Sequence, residues 1–292
     1  MLKIIAASLL CAAIAMVAGL SLFFIVTAPV DPPPAIYLDM AAARVDLGRV
    51  VSAGGVSRLL LDSSGLGVLL WTHPGLEAGD YPLLHLVFRQ PPQTDALAVL
   101  WKSANAGGSP SHYRLSGELG FERWQALTAA PDWHGKPGEF GLIFRGRPGQ
   151  SVMLEKVQLL PPTTSNRLRL IYADWHAPIS WDHTSINRTW GAGSFGALLF
   201  PVPLIATFFC LSLLFYGAIV AKRATSRFDW QVVAGLFLFC WLALDVLWQG
   251  KFLGQLGETR RLFAGLDAEH KLSVGIDAAL VKFATEVKRR VA

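Results

Sequence analysis

"LLHLVFRQ" (Leu83–Gln90) decides how the central part of the chain is read. Leu84, Leu86 and Phe88 fall on one side of an extended backbone, with His85 and Arg89 on the other. That period of two is the mark of a half-buried strand. Similar runs surround it. "DALAVLWKS" (Asp95–Ser103) is a more continuous apolar run, followed by the turn-rich "ANAGGSPS" and then "HYRLSGEL". In "FGLIFRG", Phe140, Leu142 and Phe144 share a face. "SVMLEKVQLLPP" closes the set on prolines, which forbid further pairing. Short strands recurring between Gly, Pro, Asn and Asp predict an all-β sandwich or barrel over residues 29–164.

Outside this region the composition changes. Of the 292 residues, 52% are hydrophobic and only 16% charged, against about 25% charged in soluble domains. Three runs carry the excess: Ile4–Val26, Phe195–Val220, and Val232–Leu247 with Trp230 and Trp248 beside it. A membrane span takes about 20 apolar residues. The third run reaches that length only with its aromatic flanks, and it holds Asp245 near its end. The first run exceeds the about 7–15 residues of a signal-peptide core. No clear small-x-small cleavage site follows it, so it reads as an uncleaved anchor. The expected organisation is an anchor (1–28), a sandwich (29–164), a juxtamembrane aromatic segment (165–194), a second span (195–221), a loop (222–229), a third span (230–249) and a helical tail (250–292).

Lys222, Arg223 and Arg227 crowd the short loop between the second and third spans. Positive charge marks cytoplasmic loops. The N-terminus with Lys3 is then cytoplasmic too, and the sandwich and tail lie outside, in a periplasm if the cell is Gram-negative. The basic tail pulls against this orientation, but three spans keep the parity consistent. Cys11, Cys210 and Cys240 all fall in the spans. The exported region therefore has no disulfide framework, cysteine nucleophile or thiolate metal site. The net charge of +5 is spread over the loop, the tail and a mixed-charge domain. No nucleic-acid-binding motif appears, so no nucleic-acid partner is expected.

In the tail, Leu256, Leu262, Phe263 and Leu266 suggest a short helix. Ile276, Leu280, Phe283 and Val287 form a stripe at helical spacing. Asp277 sits in the first turn of that second helix and Lys288, Arg289 and Arg290 in its last, which suits the helix dipole. The stripe needs a cover: the sandwich or a membrane-protein partner.

Candidate binding residues come from two places. Trp71, Trp101, Trp124 and Trp133 are the tryptophans on which a sugar ring could stack. Trp101 reads as core. Trp133, in the polar loop "APDWHGKPG", is the best exposed candidate, with Asp132 and His134 beside it; the plain alternative is a tryptophan that tucks the loop onto the sandwich. The second place is "YADWHAPISWDHTSINRTWGAG" (Tyr172–Gly193). Trp175, Trp181 and Trp190 look like an interfacial belt, since indoles favour the membrane–water boundary. The same segment offers Trp175, His176, Trp181, His183, Asn187 and Arg188 to a glycan or lipid-linked headgroup. Just before it, Arg167 and Arg169 alternate with Leu168 and Leu170, either to meet headgroups or to finish the sandwich.

Metal and nucleophilic chemistry fit poorly. His176 and His183 are seven apart with Pro178 between them, so one helical face does not present both beside Asp174 or Asp182. A relay of Ser180 or Ser185 with His183 and Asp182 needs adjacent side chains to reach each other, and no G-x-S-x-G elbow exists. No metal or other cofactor is expected. Glu118 with Glu122, and Asp132 with Glu139, are the close carboxylate pairs that glycoside chemistry would ask for.

"RWQALTAAPDWHGKPGEFGLIFRGRPGQSVMLEKVQLLP" (Arg123–Pro161) sets a Trp-containing turn, a strand, a Gly-Pro turn and a final strand in succession. This resembles the C-terminal half of galactose-binding-like jelly rolls, the fold of many carbohydrate-binding modules. "ETRRLFAG", "EHK" and "DAALVKFATEVKRRV" after a span resemble bacterial inner-membrane proteins associated with surface-polysaccharide genes. These resemblances imply a non-catalytic accessory or glycan-binding component of cell-envelope polysaccharide assembly or export. Membrane lipids, a glycan or lipid-linked sugar, and a membrane protein held by the tail helix are its expected partners. A membrane-surface enzyme and a structural scaffold are the alternatives.

Overall fold

The computed structural model describes every residue except 1, 54–55, 93, 104–109, 116–119, 177–198, 223–227, 268–269, 272–277 and 292. The chain divides into two compact units, Met1–Leu244 and Asp245–Ala292.

In the first unit, helix α1 (Leu2–Thr27) precedes the strands. A four-stranded sheet runs in the order β1 (Ile36–Tyr37), β12 (Leu154–Leu160), β6 (Leu83–Phe88), β9 (Glu122–Ala126). A five-stranded sheet runs β2 (Arg44–Leu47), β5 (Leu66–Thr72), β10 (Pro137–Arg145), β7 (Ala96–Ser103), β8 (Ser111–Leu115). A smaller sheet joins β11 (Ser151–Val152), β4 (Val56–Leu60) and β3 (Arg49–Ala53). All these pairings are antiparallel.

The alternation in the sequence sets the inner faces. Leu84, Leu86 and Phe88 of β6 share one core with Leu69 and Trp71 of β5, Phe140, Leu142 and Phe144 of β10, and Leu97, Val99 and Trp101 of β7. Phe88 and Phe144 meet edge to face across the two larger sheets, with centroids 6.4 Å apart. Glycine at 141 allows β5 and β10 to pack this closely. A Cβ there would lie 2.5 Å from Leu70 Cδ2 and 2.6 Å from the Leu69 carbonyl oxygen.

The core also claims Trp133, which fits the reading of an indole that tucks its loop onto the sandwich and corrects the one of an exposed stacking surface. Its side chain is buried, with the residue 7% exposed. The indole N–H donates to the Ala78 carbonyl at 3.1 Å. The ring stands edge-on to Trp101 and to Phe140, with centroids at 5.4 and 5.9 Å. A buried indole with a satisfied N–H combines a large apolar area with aromatic contacts. Trp71 is buried in the same way and donates to the Asp39 carbonyl at 2.7 Å.

After β12 the chain forms helix α2 (Thr164–His176). Its Leu170 packs with Leu83, Trp124, Ala126 and Leu160 on the outer face of the four-stranded sheet. The Thr163 hydroxyl accepts from the Asn166 N–H at 3.2 Å and caps the helix. The Arg/Leu alternation over 167–170 is thus wound into a helix, and it finishes the sandwich as a lid on one sheet.

Among the described residues, three helical stretches are long and apolar enough to cross a membrane: Leu2–Thr27, Pro201–Lys222 (α3) and Trp230–Gly257, within α4 (Trp230–Phe263). Tyr216 of α3 is buried with Val232 and Leu236 of α4, against Ile4, Ile5 and Leu9 of α1. The Tyr216 hydroxyl accepts from the Asp229 N–H at 2.7 Å and donates to the Asp229 carbonyl at 3.2 Å, tying the α3–α4 turn. The start of α1 therefore packs beside Tyr216 and Val232. At its other end, Arg167 of α2 donates to the Thr27 hydroxyl at 2.6 Å and the Thr27 carbonyl at 2.9 Å.

Gly250, read in sequence as the first residue of the tail, lies inside α4. A helix-interior glycine costs only about 1 kcal/mol, and residues read as a separate short helix continue α4 to Phe263. In the second unit, α5 (Ala278–Val291) follows, with Phe283 and Val287 exposed.

Replacing a core aromatic with alanine costs about 3–5 kcal/mol. Trp133→Ala should lower stability by that amount, read by denaturant unfolding of the detergent-solubilised full chain. A loss below about 1 kcal/mol would contradict its placement in the core.

Candidate functional site

The outer face of the four-stranded sheet carries a polar and aromatic row. Register places Tyr37 beside Gln158, Gln158 beside His85, and His85 beside Trp124, so the row crosses all four strands. The next row, Leu83, Ala126 and Leu160, is apolar and lies under α2. Gln158, His85 and Trp124 are buried, and Tyr37 at the end of the row is 67% exposed.

The buried members satisfy one another. His85 Nε2 donates to Glu122 Oε1 at 2.7 Å, and His85 Nδ1 lies 2.9 Å from Gln158 Oε1. The Trp124 indole N–H donates to the same Glu122 oxygen at 2.8 Å. The His85 ring stacks on Trp124, with centroids 4.2 Å apart. Burial is the largest influence on Glu122 and opposes its charge. The hydrogen bonds from Trp124 and His85, with the charges of His85 and Arg169, outweigh it and hold the carboxyl below its usual range. Buried Arg123, on the same strand but on the opposite face, has its pKa pushed down by burial, with Asp174 of α2 acting the other way.

Between this row and α2 is an open cavity of about 370 Å³. Tyr37, His85, Trp124 and Gln158 line the sheet side, and Asn166 and Arg169 the α2 side. Lys156 stands at the rim with its ammonium 5.9 Å from the centroid of the Tyr37 ring. The volume is at the low end of the about 300–1,000 Å³ of small-molecule sites. An exposed aromatic face, amide groups and exposed cations around such a cavity are suited to holding a small polar ring.

Most of this set lies outside the sequence-based candidates. Asp132 and His134 are exposed on either side of the buried Trp133, and the Asp132 carbonyl accepts from the Trp101 indole at 3.0 Å. Trp175, at the end of α2, is half-buried and donates to the Leu199 carbonyl at 2.8 Å, fastening α2 to the approach to α3. His176 is exposed and stacks on Tyr172 at 4.0 Å. No hydrogen bond, ion pair or ring contact joins the Asp132–His134 loop to Trp175 or His176 among the described residues. Trp181, His183, Asn187 and Arg188 lie outside the described residues, as does Glu118. Of the other carboxylate pair, Glu139 accepts from Arg44 at 3.0 Å on the five-stranded sheet. Among the described residues, no three His, Cys, Asp or Glu side chains gather as metal ligands.

No family model matches the sequence. No curated protein matches it either. Among solved structures, the low-affinity xylan-binding module CBM86 of Roseburia intestinalis is similar over 44% of this chain and 96% of its own, at 13% identity and a TM-score of 0.29. The family 11 carbohydrate-binding module of Clostridium thermocellum, solved with a mixed-linked tetrasaccharide, is similar over 44% of this chain and 89% of its own, at 8% identity and a TM-score of 0.29. Drosophila melanogaster CENP-C bound to CAL1 is similar over 38% of this chain and 75% of its own, at 11% identity and a TM-score of 0.16.

The depressed Glu122 carboxyl stabilises the fold above its unfolded pKa of about 4.3, and that contribution is lost as pH falls through the folded value. Glu122→Gln should therefore be less stable than wild type at about pH 7, with the gap narrowing at about pH 3.5. Denaturant unfolding at both pH values checks this; an equal gap at both would contradict it.

Proposed function

We propose that the protein is a membrane-anchored, non-catalytic glycan-binding component of cell-envelope polysaccharide assembly or export. The observation that carries this reading is the cavity between the Tyr37–Gln158–His85–Trp124 row and α2. Sugar recognition asks for an aromatic platform with a few fixed polar groups around it. The row supplies both, and Glu122 locks its buried members by hydrogen bonds.

The three apolar helices are the anchor. Lys222, Arg223 and Arg227 belong to the sequence that joins α3 to α4, the start of α1 packs against Tyr216 and Val232 at the facing ends of those helices, and Arg167 of α2 grips the Thr27 end of α1. The positive-inside rule then assigns the turn to the cytoplasm of a bacterial cell and the sandwich, a jelly roll in this reading, to the outer side of the inner membrane. Trp175 and His176, at the far end of α2, serve the membrane boundary and a ligand's distal part. The exposed Phe283 and Val287 of α5 are the surface offered to a membrane-protein partner.

The test is an array of envelope-type glycans probed with the detergent-solubilised full chain, beside the surface-polysaccharide profile of a strain lacking the protein. Wild type should retain a subset of glycans. Tyr37→Ala should weaken retention about tenfold, equivalent to about 1.4 kcal/mol. The deletion strain should show an altered profile that wild type restores and Tyr37→Ala restores only in part. A wild type that retains no glycan, or a deletion strain with a normal profile, would overturn the reading.

A further inference from the structure

We infer that the cavity under α2 selects an anionic saccharide, a sugar that carries a phosphate or a carboxylate, over its neutral counterpart. This inference rests on the glycan reading of the same cavity and adds the charge of its ligand.

Two cations line the cavity, Lys156 from β12 and Arg169 from α2. Neither makes an ion pair among the described residues. The Lys156 ammonium lies 5.9 Å from the centroid of the Tyr37 ring. Both residues are exposed, so neither pays a burial cost while the cavity is empty. The charge of Arg169 reaches Glu122, and that carboxylate is already committed. One of its oxygens accepts from both His85 and Trp124. Its charge offsets one of the two cations, and a net positive rim remains. The cavity side of this rim thus offers charge-assisted hydrogen bonds to an anionic group, which are roughly twice as strong as neutral ones.

The position fits the same chemistry. Asn166 and Arg169 line the cavity, and Arg167, on the same helical turn, grips the end of α1 at Thr27. The cavity is therefore held close to where α1 leaves the apolar region. Saccharides at that level include sugars joined through phosphate to a lipid and acidic residues of a passing polymer. Their shared feature is a ring bearing a negative group. A ring on Tyr37 with its anion between Lys156 and Arg169 uses the aromatic platform and both cations together.

The experiment titrates the full-length protein in neutral detergent with four probes: a hexose, its 1-phosphate, the matching hexuronate, and inorganic phosphate. A fifth arm uses vesicles of phosphatidylglycerol with phosphatidylcholine. Wild type should bind the hexose 1-phosphate or the hexuronate at least about tenfold more tightly than the hexose, and this preference should shrink as salt rises from about 0.05 to 0.5 M. Preference for the 1-phosphate assigns a phosphate-linked sugar, and preference for the hexuronate assigns an acidic polymer. In the double variant Lys156→Gln/Arg169→Gln, with unfolding midpoint unchanged, the ratio of charged to neutral affinity should fall to about one.

Equal binding of neutral and charged sugars by wild type, with no change in the double variant, would overturn this inference and leave the glycan reading standing. Inorganic phosphate or phosphatidylglycerol vesicles binding as tightly as the hexose 1-phosphate would also overturn it, because the ring would then contribute nothing. No binding by any of the three sugars would overturn the glycan reading itself.

Discussion

A helix leaves its last carbonyls without intrahelical partners. In α1 that end is Thr27, and Arg167 meets it with two hydrogen bonds. A cation at a helix C-terminus is also favoured by the helix dipole. Burial pushes the Arg167 pKa down, yet a guanidinium keeps its charge in a protein. Much of the site's geometry depends on this grip. With Arg167 directed at α1, the 3.6-residue turn sends Leu170 to the sheet and Asn166 and Arg169 to the cavity. One helix thereby closes the outer face of a sheet, walls a cavity and fixes the sandwich to an apolar helix.

The sequence revealed the sheets through Leu84, Leu86 and Phe88, and through Phe140, Leu142 and Phe144, because period-two burial is a local property of a strand. The three apolar helices were legible for a similar reason, since length and composition define them. The site was less legible. His85 was correctly put on the outer face of β6, but its burial depends on α2 crossing that face, and nothing within the strand records this. Tyr37 and Gln158 come from strands far apart in sequence, and only register makes them neighbours. Trp133 takes the plainer of its two readings, tucking its loop onto the sandwich, although its flanks are polar. Asp132 and His134 do stay in solvent while the indole between them turns into the core. The alternation at 167–170 does not by itself announce a helix, since two arginines and two leucines fit either period over four residues.

The cross-sheet row has a cost that bears on its role. A buried polar group is expensive unless it is paired, and apolar residues on the same rows would cover the sheet more simply, as Leu83, Ala126 and Leu160 do one step away. The change from the apolar row to the polar one occurs where α2 leaves the cavity open. Within the polar row, every hydrogen bond of His85 and of the Trp124 indole is spent on Gln158 or Glu122. The inner part of the row is therefore a rigid floor with little left to offer a ligand. The groups still available stand at its rim: the exposed ring of Tyr37, the Lys156 ammonium and the Arg169 guanidinium. A site built this way separates holding its shape from making contact. In the proposed glycan reading, selectivity resides in the three rim residues, whose exposure lets them be exchanged at least cost to the fold.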